Sequence, residues 1–237
     1  MRERIMDIEK NTKNKGVEDK LNSFMSKHAK PIIAIFVVVI VLLIAACIAV
    51  VTIQNSKNAA FDAVADLESQ FTAMNSMDPE SAEYSEALAA FQADADALAA
   101  DGTSEYPGAK ATMLLGDLAF QDMDWQSAAD YYAAVAEGQS GTYLAQLALM
   151  NEAACYENLD QSDIALGLYN EVLDTYGDKG VFAPKAMFSV GRIYAEQGEA
   201  ALAEAEFQNL TGLYLVPGNG AMPSEYARMA EAYLINY

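Results

Sequence analysis

Between Pro31 and Ile53 the chain carries no charged side chain: PIIAIFVVVIVLLIAACIAVVTI. A helix crossing a bilayer needs roughly 20 consecutive apolar residues, and this run is long enough to cross once with a little tilt. A helix buried in a soluble core would keep a polar stripe somewhere, and none exists here. The run therefore predicts a transmembrane helix over 31–53. Its flanks give the direction. Residues 1–30 hold eight basic side chains (Arg2, Arg4, Lys10, Lys13, Lys15, Lys20, Lys27, Lys30) and five acidic ones. Basic flanks stay on the cytoplasmic side, so the N-terminus is expected inside and everything after Ile53 outside. A cleaved secretory signal is the competing reading, but its apolar core would span only about 7–15 residues. IAAC (Ile44 to Cys47) looks like a bacterial lipobox, yet the apolar run continues to Ile53, which suits an uncleaved span better.

After Ile53 there are six basic against 29 acidic residues, a formal charge of −23. Such a domain repels phosphate backbones, so nucleic acid is not an expected partner. Cys155 is the only thiol there and His28 the only histidine of the chain, on the cytoplasmic side. No Ser/His/Asp, Cys/His or His/Cys metal set can be built in the exported part. The paired acids Asp94/Asp96 and Asp122/Asp124 lack the glycine and spacing of a calcium loop. No catalytic residue, metal, cofactor or small-molecule substrate is expected. Cys155, in NEAACYENL, reads as a small packed hydrophobe.

The N-terminal arm is polar and Lys/Asn-rich to Gly16 and is expected to be unstructured. Val17, Leu21, Phe24, Met25 and His28 then fall at helical spacing, either as a short helix on the membrane surface or as a loose tail. No Gly or Pro occurs between Ile32 and Asp78, so one helix can run from the membrane outward, with QNSKN (Gln54 to Asn58) its weakest point. Phe61, Val64, Leu67, Glu68 and Phe71 form a stripe of period near 3.6. Asp78 as cap, Pro79 in the first helical position and Glu80 start a further helix to about Ala100. Beyond it, helices of three to four turns alternate with short polar links, and abundant Ala with no alternating pattern argues against strands.

A spacing then repeats. Gly116 is followed by Ala128 and Tyr132, Ala153 by Ala165 and Tyr169, Gly191 by Ala203 and Phe207. In each set the second small residue and the aromatic stand at the same two offsets from the first. The first small residues recur at near-equal intervals, and Ala230 continues the series. Tyr156 and Tyr194 stand three residues after theirs. Small residues let two helices approach, and an aromatic one turn on fills the space beside them. Periodicity of this kind is the signature of stacked helical pairs.

LLGDLAF…DWQSAADYYAAV, NEAACYENLDQSDIALGLYNEV and SVGRIYAEQGEAALAEAEFQNL resemble the tetratricopeptide repeat. Ala119 stands where that family has Tyr, its Trp is missing, and the period exceeds its usual 34. The resemblance covers about Tyr106 to Tyr237. The fold it implies is all-α: an N-terminal transmembrane helix followed by a tetratricopeptide-repeat helical solenoid. The expected segments are a cytoplasmic tail (1–30), the span (31–53), a membrane-proximal helical hairpin (54–105) and the repeats with a C-terminal capping helix (106–237). The layout also resembles the YfgM-like ancillary subunits of the SecYEG translocon. That implies a single-pass adaptor in the bacterial inner membrane, its repeats in the periplasm, contacting translocon subunits, periplasmic chaperones or exported chains. An envelope scaffold in cell division or outer-membrane assembly is the alternative.

In the repeat family's geometry, first helices line a concave groove. Carried over, this groove holds Lys110, Met113, Asp117 and Phe120; Leu147, Met150 and Glu157; Lys185, Phe188 and Arg192. Three of the six exported basic residues fall there, and the resemblance implies a face of flexible and aromatic side chains on which Lys or Arg can hold a partner's carboxylate.

Overall fold

The computed structural model describes residues 2–215 and 222–236; most of the expected link VPGNGAMP lies outside them. Among the described residues every regular element is an α-helix. The chain divides into two compact units, Met1–Asn58 and Ala59–Tyr237.

The first unit is helical throughout its described part. Helix α1 (Arg2–Met74) begins at Arg2 and includes Pro31. The arm expected to be unstructured is therefore helix. With no proline and one glycine before Pro31, a helix nucleated in the apolar segment can propagate backward. Every described residue from Ile33 to Ile53 is exposed, so no protein covers this apolar surface. The helix is long and apolar enough to cross a membrane. Leu21, Phe24 and Met25 are exposed, and the Phe24 ring lies 4.8 Å from that of His28. QNSKN does not interrupt the backbone: Gln54 Nε2 donates to Asn58 Oδ1 at 3.1 Å, one turn on. The division between the two units falls at this point.

The second unit starts with the last four turns of α1. Val64, Leu67 and Met74 are buried there. Next come α2 (Ala82–Ala99), α3 (Tyr106–Gln121), α4 (Trp125–Gly138), α5 (Tyr143–Asn158), α6 (Ser162–Tyr176), α7 (Ala183–Glu196), α8 (Ala200–Tyr214) and α9 (Glu225–Asn236). The cap of α2 is Ser81, whose side chain accepts from the Tyr84 amide at 3.0 Å. Asp78 does not cap it; its carboxylate accepts from the Glu80 amide at 3.0 Å. That local turn uses up the Asp78 oxygen and delays the helix by a few residues. Asp124 and Thr142 cap α4 and α5 in the usual way. The Ser127 hydroxyl and amide hold the Asp124 carboxyl below its ordinary value.

From α2 onward each helix packs against the next in chain order, and α7 also meets α9. The core is a series of three-helix clusters that share their outer helices. Leu67, Met74, Phe91, Ala95, Leu114 and Leu118 join α1, α2 and α3. This cluster bridges 105/106, so the hairpin and the repeats belong to one compact unit. Met113, Ala128, Tyr132 and Ala148 join α3, α4 and α5. Met150, Ala153, Ala165, Tyr169 and Val190 join α5, α6 and α7. Met187, Ala203, Phe207 and Ala230 join α7, α8 and α9.

Candidate partner-binding face

The small positions are crossing points. A Cβ added at Gly116 would stand 2.8 Å from the Tyr132 ring, and one at Gly191 would stand 2.6 Å from the Phe207 ring. Neither ring is free to retreat. Tyr132 donates its hydroxyl to Asp117 at 2.8 Å, and Phe207 sits 4.7 Å from the Tyr233 ring and 5.7 Å from that of Phe188. Helix propensity favours Ala over Gly by about 1 kcal/mol, but overpacking costs about 1–3 kcal/mol, so sterics win. Gly116→Ala and Gly191→Ala are each expected to lower the urea midpoint with an unchanged slope. Unchanged midpoints would show that the rings move aside freely.

The turn inside each pair is built the same way three times. The amide of Asp124 bonds the carbonyl of Ala119, Gln161 that of Tyr156, and Glu199 that of Tyr194, at 2.8–2.9 Å. The residue before each amide has positive φ: Met123 (60°), Asp160 (57°) and Gly198 (81°). Only the third is the residue type that takes this conformation without strain.

The face expected to bind partners is only partly open. Met113 is 2% and Met150 0% exposed, which corrects their assignment to a groove surface. Both stand three residues before a crossing point, where the next helix of the stack covers them. Two of the three basic residues of this face, Lys110 and Arg192, already have partners. Lys110 pairs with Glu68 at 2.9 Å. Arg192 pairs with Glu157 at 2.5 Å and Glu196 at 2.9 Å. Burial opposes the Arg192 charge, but these two carboxylates outweigh it and hold its pKa above the ordinary value. Neither of these two cations stands unpaired to receive a partner's carboxylate, contrary to the expectation for Lys110 and Arg192. Glu157 also accepts from the Tyr169 hydroxyl at 2.6 Å. Burial pushes the Asp117 carboxyl up, against the Tyr132 hydrogen bond and the charge of Lys110.

Phe188 is half-buried, with the Tyr226 ring of α9 at 6.0 Å. The capping helix thus covers this end of the face. Phe120 packs edge-on against Trp125 at 4.8 Å. Leu147 and Lys185 are half-buried. Tyr156 and Tyr194 are partly buried against the cluster of α5, α6 and α7. Cys155 is buried, and burial followed by the charge of Glu152 pushes its thiol up to about 12, where it is a poor nucleophile. Among the described residues no group of three or more His, Cys, Asp or Glu could hold a metal ion.

Three ties between links escaped the reading of the sequence. Gln139 Nε2 donates to the Thr103 carbonyl at 2.7 Å, the Gly141 amide donates to the Tyr176 hydroxyl at 3.3 Å, and the Tyr214 hydroxyl donates to the Asp178 carbonyl. Gln139 follows the last residue of α4, and Tyr176 and Tyr214 are the last residues of α6 and α8. Their spacing equals that of the crossing residues Gly116, Ala153 and Gly191, and it was the available signal.

Comparison of the chain with protein-family models, with curated proteins and with solved structures finds no match to any of them. The class of protein is therefore defined by the architecture alone: among the described residues, an all-helical chain with one candidate membrane-spanning helix near the N-terminus.

Proposed function

We propose that this protein is a membrane-anchored adaptor whose exported domain, a tetratricopeptide-type solenoid, binds other proteins. The observation that carries the reading is the recurrence of one cluster through α3–α9, with the same crossing, turn and link tie at each step. Stacked pairs of this kind build extended surfaces and bring no chemistry of their own. The α1 span holds the domain in the bacterial inner membrane, with the basic tail in the cytoplasm and the repeats in the periplasm. The role is non-enzymatic and needs no cofactor.

The ion-paired cations and the charge of −23 after Ile53 favour a partner with basic segments over one that offers carboxylates. The layout resembling the YfgM-like group points to the Sec translocon and its periplasmic chaperones or exported chains as the site of action. Photo-crosslinkers placed at Leu147 and Lys185 in living cells are expected to capture translocon subunits or chaperones. A crosslinker at exposed Glu204 on α8 is the control. Capture of cell-division or outer-membrane assembly proteins instead would move the adaptor away from the translocon. Equal capture from Glu204 would remove the face from the reading.

A further inference from the structure

The links after α2, α4, α6 and α8 lie side by side, because the ties from Gln139 to Thr103, Gly141 to Tyr176 and Tyr214 to Asp178 join each to the next. They form one edge of the second unit, and the turns after α3, α5 and α7 form the opposite edge. Where the first helices begin, the link edge exposes a row of apolar side chains: Tyr106 at 43%, Tyr143 at 56% and Val181 at 67%. The rings are held in place. Tyr106 stacks on Phe61 at 5.7 Å with the planes 15° apart, and Tyr143 lies 5.3 Å from Phe182. Phe61 is itself exposed. It is the third residue of the second unit, so the chain enters the unit at this edge.

The turn edge also exposes apolar side chains, Met123, Ile164 and Leu202, but in a different field. Asp122, Asp124, Asp160 and Glu199 stand in its three turns, and no Lys or Arg lies within four residues of them. On the link edge Lys179 stands in a link, and Lys185 and Arg228 in the first turns of α7 and α9, where they partly offset Asp101, Glu105, Glu137 and Asp178. The headgroup region of a bilayer carries negative charge and takes up aromatic side chains with a polar tip. Such a surface repels the turn edge and admits the link edge. We propose that the link edge is a bilayer-contact surface, with Phe61, Tyr106, Tyr143 and Val181 resting in the headgroup region beside the point where the chain enters the unit.

The inference rests on the membrane anchor proposed above, because a few side chains cannot draw so acidic a unit out of solution. Phe61 follows Ile53 by eight residues, and a tether that short presents the edge to the surface at high effective concentration. The contact therefore orients the unit and does not anchor it; freed of residues 1–58, the unit stays in solution. The helices run from one edge to the other, so contact along the links stands them on the membrane. That leaves the face formed by α3, α5 and α7 clear of lipid and open to a protein partner at the bilayer surface.

The test is quenching of tryptophan emission in the full chain, reconstituted in vesicles of phosphatidylcholine and phosphatidylglycerol whose acyl chains carry bromine near the headgroups. Trp125, the only tryptophan, begins α4 beside the turn edge, so wild-type emission is expected to match that in vesicles without bromine. Tyr143→Trp and Val181→Trp each add a tryptophan to the link edge, and the added emission should be quenched. Ile164→Trp adds one beside the turn edge and should behave as wild type does. All three positions are exposed, so the fold is kept, which circular dichroism checks. Phe36→Trp, inside the apolar segment, reports the anchor separately. Quenching of Phe36→Trp with none at 143 and 181 would overturn the contact and leave the anchor standing; no quenching of Phe36→Trp would remove both. Equal quenching at 143 and 164 would show that no edge is selected and would also overturn the proposal. A blue shift at 143 and 181 without quenching would mean that protein covers the edge, and the bilayer contact would fall with it.

Discussion

Phe207→Ala is expected to destabilise the C-terminal end of the second unit by about 3–5 kcal/mol, the usual cost of emptying a buried phenylalanine site. Phe207 is 1% exposed and lies in one cluster with Met187, Ala203, Leu210, Ala227 and Ala230. It also fills the space that Gly191 leaves open. Because Gly191 has no side chain to follow the ring inward, the cavity has few atoms with which to collapse. A domain of this size has only about 5–15 kcal/mol in total, so the loss is a large share of it. Contacts in this unit run between helices close in chain order, so α7–α9 should loosen before α2–α5. Limited proteolysis with rising urea is expected to cut within α7–α9 well before α2–α5. Leu213→Ala, at a position 42% exposed, is the control and should shift stability by less than about 0.5 kcal/mol. Simultaneous loss of all helices in Phe207→Ala would refute this short-range account.

Removing residues 1–58 is expected to leave a freely soluble unit that still unfolds cooperatively, where the full chain is expected to need detergent. The apolar segment 31–53 holds sixteen Ile, Val, Leu and Phe residues. At about 0.3–0.6 kcal/mol each, these favour insertion by about 5–10 kcal/mol in sum, with no charge to oppose them. No described residue from Ile33 to Ile53 is covered by protein, so their removal opens no cavity. The remaining unit, Ala59–Tyr237, keeps the end of α1 with Val64, Leu67 and Met74 buried. Its acidity favours solubility. Sedimentation of membranes should carry the full chain and leave the shortened chain in the supernatant. A shortened chain that pellets or lacks a cooperative transition would show that the first unit supports the fold of the second. Cutting further, to residue 75, should expose Phe91 and Ala95 and cost the α1–α2–α3 cluster.

The helical elements and the apolar segment were legible because each is written in local order. A run without charge from Pro31 to Ile53 needs no tertiary information to exclude a solvated helix. The fixed offsets from small residue to small residue to aromatic likewise record which side chains meet, because a short turn fixes how two successive helices pack. Helix starts were less legible. Asp78 and Ser81 are both good caps three residues apart, and the choice depended on which oxygen the chain could spare.

The candidate face was read less well, for a physical reason. Offsets within a pair say which side of a helix its partner covers, but not what stacks on the remaining sides. Met113 and Met150 are flexible, apolar and off the pair contact, which is equally true of a binding surface and of a seam between successive pairs. Likewise, Lys110 and Arg192 look like unclaimed cations in an acidic chain until Glu68 and Glu157, each a helix or more away in sequence, are brought beside them. By itself, then, the sequence determined that this chain is helical, has one segment apolar enough to span a membrane and repeats a crossing at Gly116, Ala153 and Gly191, since these rest on composition and short-range periodicity. Which side chains are core and which charges are neutralised was decided by tertiary structure, since burial and pairing depend on segments far apart in the chain.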